Sequence, residues 1–405
     1  MIEPKLRFKA DDGSQFPEWE EKVFGDFVNT HLEKTSDKDT YPLYSLTIEA
    51  GVQPKTDRYE REFLVKKEGD NYKIVPPNAF VYNPMNLRFG ALKVNHEKFS
   101  VSVSGYYDVF SLKDNSVLAF WENYLVTPKM LNYYFSIATG SLIEKLRVHY
   151  SQFVKIKKPL PSLPEQQKIA EFLSTIDTVI EKQKETVSVW EERKKGVIQK
   201  LFSQEVRFKA DDGNEFPDWE EKKLGEVCAP LTYGMNAAAV KYDGENKYIR
   251  ITDIDDESHL YKNDGLVSPD GELDDKYLVS ENDILLARTG ASVGKSYLYD
   301  KKDGKLYYAG FLIKAHVKSE NSKFIYYQTL TDRYARWVQV TSMRSGQPGI
   351  NANEYSEFMV YVPCLAEQQK IADSLSSLDE VIEKQKATLA AWEELKKGLL
   401  QQMFV

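Results

Sequence analysis

Two stretches of this chain are written twice, and that repeat limits the available folds more than any feature of composition. RFKADDGSQFPEWEEKVFG at 7–25 returns as RFKADDGNEFPDWEEKKLG at 207–225. PSLPEQQKIAEFLSTIDTVIEKQKETVSVWEERKKGVIQKLF at 161–202 returns at 363–404 as PCLAEQQKIADSLSSLDEVIEKQKATLAAWEELKKGLLQQMF. The stretches between, 28–155 and 228–360, have almost nothing in common beyond a short YSxF echo, Tyr150 to Phe153 and Tyr355 to Phe358. The order is variable, shared, variable, shared. A common frame holds two things that differ.

The longer shared block reads as a helix with one apolar seam. Ile169, Leu173, Ile176, Ile180, Gln183, Val187, Trp190, Lys194, Val197 and Leu201 recur in steps of three and four, the spacing of a coiled coil. The second copy gives Ile371, Leu375, Leu378, Ile382, Gln385, Leu389, Trp392, Lys396, Leu399 and Met403. Gln and Lys fall at the same two seam positions in both copies. Either they specify how the helices pair, or the lysines snorkel out of the seam. Glu191 with Lys195, and Glu393 with Lys397, support the outer face at i,i+4, and Pro164 sits in the first turn, where its missing N–H is harmless. About 38 helical residues at about 1.5 Å each make a rod of about 55 Å. One apolar stripe needs a partner, and the other copy is the nearest one. The expected arrangement is an antiparallel pair acting as spacer, with a variable domain at each end and a pseudo-two-fold axis between them.

The variable stretches mix strand runs (NAFVYNP, FSVSVSGYYDVFSL, KYIRITDI, NDILLARTG) with short helical segments such as SKFIYYQTLTDRYARWVQVT. The expected fold class is α+β: two mixed α/β domains, 1–158 and 206–361, separated by two long helices, 159–205 and 362–405, in an antiparallel coiled coil.

Several function classes are disfavoured. Net charge is −8 with a pI near 5.5, the wrong sign for a general electrostatic DNA binder. Any nucleic-acid role must rest on local clusters or on partners that share the phosphate grip. Cys228 and Cys364 stand alone, without metal-ligand spacing. No apolar run is long enough to span a bilayer, and the charged opening MIEPKLRFKADDG reads as no secretory signal, so a cytoplasmic location is expected. GASVGKS at 290–296 has three residues between its glycines where a phosphate loop needs four. YNPM at 82–85 lacks the second Pro and the aromatic of the amino-methyltransferase motif. The five histidines form no HExxH and sit at no nucleophile elbow. Asp11–Asp12 and Asp255–Asp256 read as solvated turns, not metal sites. No metal and no catalytic residue is expected.

With these residues in view, the whole chain resembles the specificity subunits of type I restriction–modification systems. The resemblance rests on LPEQQKIAEFLSTIDTVIEKQK and AEQQKIADSLSSLDEVIEKQK, on FPEWEEKVFGDF and FPDWEEKKLGEV opening each variable stretch, and on NDILLARTGASVGKS. It implies two target-recognition domains, each reading one half of a bipartite site in double-stranded DNA, with the paired helices setting the gap. It implies two modification subunits that methylate adenine N6 with S-adenosylmethionine, and two restriction subunits that make an ATP- and Mg-dependent nuclease. The cofactors would belong to those partners and none to this chain. Because the variable stretches differ, the site read should be asymmetric.

Base edges are read by Arg, Lys, Asn, Gln, Ser or Thr presented from loops beside rigid elements. In the second domain the candidates are Arg288, Thr289, Ser292 and Lys295 after the ILLARTG strand. Arg344, Ser345 and Gln347 follow, beside Gly346 and Gly349, which permit close backbone approach. In the first domain they are Asn83, Arg88, Lys93, Ser104 and Tyr106. The competing readings are a coiled-coil adaptor binding two different proteins, which explains the helices and acidity but not the strand-and-Arg character, and a nucleotide-dependent enzyme resting on GKS.

Overall fold

The computed structural model describes residues 4–48, 51–55, 72–113, 116–142, 145–343 and 347–404. It divides into two compact units, Met1–Lys184 with Ala387–Val405, and Glu185–Lys386.

The shared blocks form the longest elements, helix Leu163–Phe202 of 40 residues and helix Leu365–Met403 of 39. Each unit holds the start of one long helix against the end of the other. In the first unit Ile169 and Leu173 share a core with Met403 and Phe404, and farther along Asp177 receives Lys396 Nζ at 2.5 Å. In the second, Ile371 and Leu375 share a core with Ile198 and Leu201, Asp379 pairs with Lys194, and Glu191 pairs with Lys386 at 2.8 Å. Numbers rise along one helix as they fall along the other, so the packing within each unit is antiparallel. Every seam residue from Ile169 to Lys194 and from Ile371 to Lys396 is buried or half-buried. The seam lysines end on an aspartate of the facing helix, and a slip of one turn would separate charge from countercharge.

The structure explains why two separated blocks repeat together: they touch. Arg7 Nε and Nη2 donate to the two carboxylate oxygens of Glu165 at 2.9 and 2.8 Å, and Trp19 Nε1 donates to the same carboxylate at 3.2 Å. Arg207, Glu367 and Trp219 repeat this at 3.1, 2.8 and 3.1 Å. Both glutamates are fully buried, 0 % exposed, in the first turn of their helices, where the N-terminal dipole also favours a carboxylate. Lys168 Nζ and Lys370 Nζ close the other end of the block on the carbonyls of Lys9 and Lys209 and on the carboxylates of Asp11 and Asp211. Gly13 and Gly213 turn the block at φ +85°, a left-handed value that glycine takes without strain.

Each unit carries one four-stranded antiparallel sheet of the same topology. In the first, strands run Val28–His31, Asp108–Leu112, Phe80–Tyr82, Leu92–Val94 across the sheet. In the second they run Thr232–Tyr233, Leu312–His316, Asp283–Ala287, Ser296–Leu298. Two short helices follow, Leu118–Tyr124 and Pro128–Ile137 in the first unit, Ser322–Gln328 and Asp332–Ser342 in the second. Thr127 and Thr331 cap the second of each pair, accepting from Met130 N and Tyr334 N. The sheets share their cores with aromatics, Phe80 and Phe110 with Phe153 in one unit, and Ile284, Leu286 and Ile313 with Phe324, Tyr355 and Phe358 in the other.

The YSxF echo is corrected by the pairing. Strand Lys157–Leu160 puts Leu160 opposite Glu20, and strand Met359–Val362 puts Val362 opposite Glu220. The preceding short helices carry matching capping boxes, His149 with Gln152 and Asn351 with Glu354. Tyr150 therefore occupies the place of Ala352, and Phe153 that of Tyr355. The echo is three residues out of register and has no structural meaning.

Candidate nucleic-acid interface

In both units the inner sheet strand leaves into a turn of equal length. The last paired residues are Tyr82 with Leu92, and Leu286 with Ser296. Asn83 N donates to Ala91 O at 3.1 Å, and Ala287 N to Lys295 O at 2.8 Å. Gly90 and Gly294 bring the chain back at φ +90° and +88°. A Cβ on Gly294 would lie 2.6 Å from Val338 Cγ1, so this turn is pressed against the helix behind it.

The segment ahead of the short capped helix is stitched to that turn. Val148 N donates to Pro84 O at 3.0 Å in the first unit, and Ile350 N to Arg288 O at 2.9 Å in the second. The second unit adds Gly290 N to Pro348 O at 3.0 Å. A third segment, entering the other inner strand (Asp108–Leu112 or Leu312–His316), closes the junction and presents an aromatic ring. That ring is Tyr106, 89 % exposed, in the first unit, and Phe311, 63 % exposed, in the second. Arg288 N donates to Phe311 O at 3.0 Å.

Backbone hydrogen bonds hold both junctions, while their side chains differ. Pro84 stands where Arg288 does, Met85 where Thr289 does, Arg88 where Ser292 does, Lys145 where Gln347 does and Arg147 where Gly349 does. Asn83 Oδ1 accepts from Met85 N at 3.0 Å and so shapes its own turn. Arg88 lies against two rings, 4.7 Å from Phe89 and 5.7 Å from Phe135. Ser104 Oγ accepts from Tyr106 N at 3.4 Å and helps form the third segment. In the second unit Arg288 lies 4.8 Å over the Tyr233 ring, Thr289 bridges to Gly349, and Ser292 ends the 3-10 helix Gly290–Ser292 within the turn.

Two candidates fall elsewhere. Lys93 lies in strand Leu92–Val94, past the turn, with its stem toward Gly51. Lys295 is turned back, its Nζ donating to Ile254 O at 3.1 Å and pairing with Asp256, so its charge is met inside the unit. Arg344 and Ser345 lie outside the described residues, while Gln347 is exposed beside Gly290. GASVGKS is the turn of an antiparallel hairpin instead of the strand-to-helix loop that cradles phosphates.

Sequence reasoning missed Lys145, Arg147, Tyr233 and Phe311. Carrying the second block's register 16 residues upstream of Pro161 and Pro363 leads from Gln347 to Lys145. Among the described residues, neither Lys145 nor Arg147 meets a carboxylate, and both are exposed. Such a junction offers donors, a guanidinium and an exposed ring on rigid backbone, which suits recognition of base edges and phosphates.

The comparisons agree with this architecture. The model of the type I restriction modification DNA specificity domain matches residues 18–187 and 217–391. This chain belongs to that family. It is 26% identical over 263 residues to the type I restriction enzyme MjaVIII specificity subunit of Methanocaldococcus jannaschii, covering 61% of each chain. It is 22% identical to the StySPI specificity subunit of Salmonella potsdam, over 62% of this chain and 56% of that one. The chain thus spans about 60% of the length of these curated relatives. Among solved structures, the S subunit of a type I restriction-modification system from M. genitalium aligns over 100% of this chain and 99% of its own, with TM-score 0.54 and 15% identity. A chain from a structural study of complex assembly in the type I R-M system aligns over 96% and 98%, with TM-score 0.58 and 13% identity. These two likenesses concern the fold.

Proposed function

We propose that this chain is the DNA sequence-specificity subunit of a type I restriction–modification complex. It reads an asymmetric, bipartite duplex site, one half per junction, and performs no chemistry itself. Two modification subunits dock on it, restriction subunits join them, and S-adenosylmethionine, ATP and Mg belong to those partners. The complex works in the cytoplasm, consistent with the absence, among the described residues, of a helix able to cross a membrane.

The observation that carries this reading is the pair of junctions: one backbone scaffold, built twice, presenting different side chains. A reader of a split, non-palindromic sequence needs that arrangement, since the scaffold fixes where the side chains point and the side chains decide what is read. The acidic mean field is tolerable if the partners supply much of the phosphate contact.

Co-expression with the modification subunit, followed by mapping of methylated adenines across the host genome, tests it. A split, asymmetric motif that depends on this chain is expected, and exchanging residues 28–155 should change one half of it. Methylation indifferent to the chain, in a complex that still assembles, would favour the adaptor reading.

A further inference from the structure

Arg288 differs from those cations of its unit that are held by a carboxylate. Lys295 pairs with Asp256, Lys276 with Asp274, Lys305 with Glu245, Arg250 with Asp253 and Arg207 with Glu367. Among the described residues, no carboxylate pairs with Arg288. Its one side-chain hydrogen bond is a long one, Nη1 to Gly310 O at 3.4 Å.

It is nonetheless firmly placed. Its N–H and C=O are both held, by Phe311 O and Ile350 N. Its guanidinium lies 4.8 Å over the Tyr233 ring. Tyr233 is fixed in turn: its hydroxyl accepts from Ala352 N at 3.1 Å, and its backbone pairs with Ile313. The next residue, Gly234, approaches Ala309 so closely that a Cβ would lie 2.2 Å from the carbonyl oxygen, which pins the Tyr233 end of the strand. A ring face attracts a guanidinium while leaving its in-plane N–H groups free to donate. The first unit has Leu32 and Pro84 at these two places and lacks the device.

Resting on the specificity-subunit reading, we propose that Arg288 and Tyr233 form a guanine-reading site. Arg288 donates both hydrogen bonds of its fork to O6 and N7 in the major groove, and Tyr233 is the positioning residue that holds the fork in plane. The pairing of a planar fork with guanine's two adjacent acceptors is the commonest specific contact of this kind. Lysine can reach the same acceptors, but from a flexible point charge that no ring holds in plane.

The test uses the full chain assembled with its modification subunits and a library of duplexes randomised over the half-site of the second unit. The wild type should demand guanine at one position. Arg288→Ala should relax that position roughly tenfold to a hundredfold, leaving the others intact. Arg288→Lys should weaken the guanine preference less than Arg288→Ala does, while keeping most of the overall affinity. Tyr233→Phe, which loses the hydroxyl bond to Ala352 N but keeps the ring, should retain the preference, and Tyr233→Leu should lose it at the same position with a melting temperature close to that of Tyr233→Phe. A uniform loss over all sequences would make Arg288 a phosphate or structural contact and overturn the proposal, as would unchanged preference in Arg288→Ala. A wild-type complex with no sequence preference at all would overturn the specificity-subunit reading itself.

Discussion

Arg7 and Arg207 make the same contacts with Glu165 and Glu367 to within a few tenths of an ångström, whereas Leu32 and Pro84 of the first unit stand where Tyr233 and Arg288 stand in the second. The two units agree in residue type at the clamps, where side chains hold one another, and diverge at the junctions, where backbone holds the chain. A clamp of guanidinium, buried carboxylate and indole N–H cannot lose one member without stranding the others. A junction secured by N–H to C=O bonds accepts almost any side chain. The layers over the sheets diverge more still: the first unit adds the antiparallel strands Lys34–Thr35, Tyr72–Val75 and Val101–Val103. The second adds a parallel pair, Lys247–Ile249 with Leu306–Tyr308, and the antiparallel pair Ala239–Lys241 with Val267–Pro269.

The largest effect should come from the clamps. Glu165→Ala and Glu367→Ala should each cost about 3–5 kcal/mol, because a buried partner is removed and its arginine left unpaired. Chemical denaturation of the full chain should find the two losses similar, and a difference above about 2 kcal/mol would break the equivalence of the units.

The seam aspartates should separate the units. Asp379 receives the Tyr327 hydroxyl at 2.6 Å as well as Lys194, whereas Asp177, which is 42% exposed at the side chain, has Lys396. Asp379→Ala should cost about 1–3 kcal/mol, and Asp177→Ala less than about 1 kcal/mol. Equal losses would show that Tyr327 adds nothing to the register.

Next in size are the cations peculiar to the first junction. Arg147→Gln should weaken duplex binding for all sequences and lower the slope of log affinity against log salt by about one. A change of preferred sequence would mark Arg147 as a base contact.

The smallest effect is pH dependence confined to the second unit. Burial lowers the pKa of His259 below the ordinary 6.5, outweighing its hydrogen bond to Ser296 O, with Lys194 and Lys295 acting in the same direction and Asp255 against them. The unfolded chain then takes up the proton first. Stability should be full above pH of about 6.5 and fall below it as protonation favours the unfolded state. Thermal melts at pH 7.5 and 5.5, taken as roughly one pH unit either side of the imidazole value, should differ less in His259→Asn, which tolerates the positive φ of 60° at this position. An undiminished difference in that variant would rule His259 out as its source.

The amino-acid sequence by itself determined the duplicated frame. Steps of three and four marked the seam and both long helices, and the antiparallel packing of their halves agrees with the expectation of a variable domain at each end. It located the turn after the ILLARTG strand too, where Arg288, Thr289 and Ser292 fall, and Asn83 and Arg88 fall in the matching turn of the first unit. What it could not reveal was which distant segments meet that turn. Lys145 and Arg147 are drawn beside Pro84 by one backbone hydrogen bond, and Tyr233 beneath Arg288 by strand pairing. Neither leaves a periodic trace, because backbone bonds are indifferent to residue type. The reverse error has the same origin. Lys295 read as a free donor until the fold brought Asp256 against it, and YSxF read as a repeat until strand register showed otherwise. Local spacing is written in side chains and can be read directly; long-range juxtaposition is decided by backbone pairing and by charges that find each other only in the folded chain.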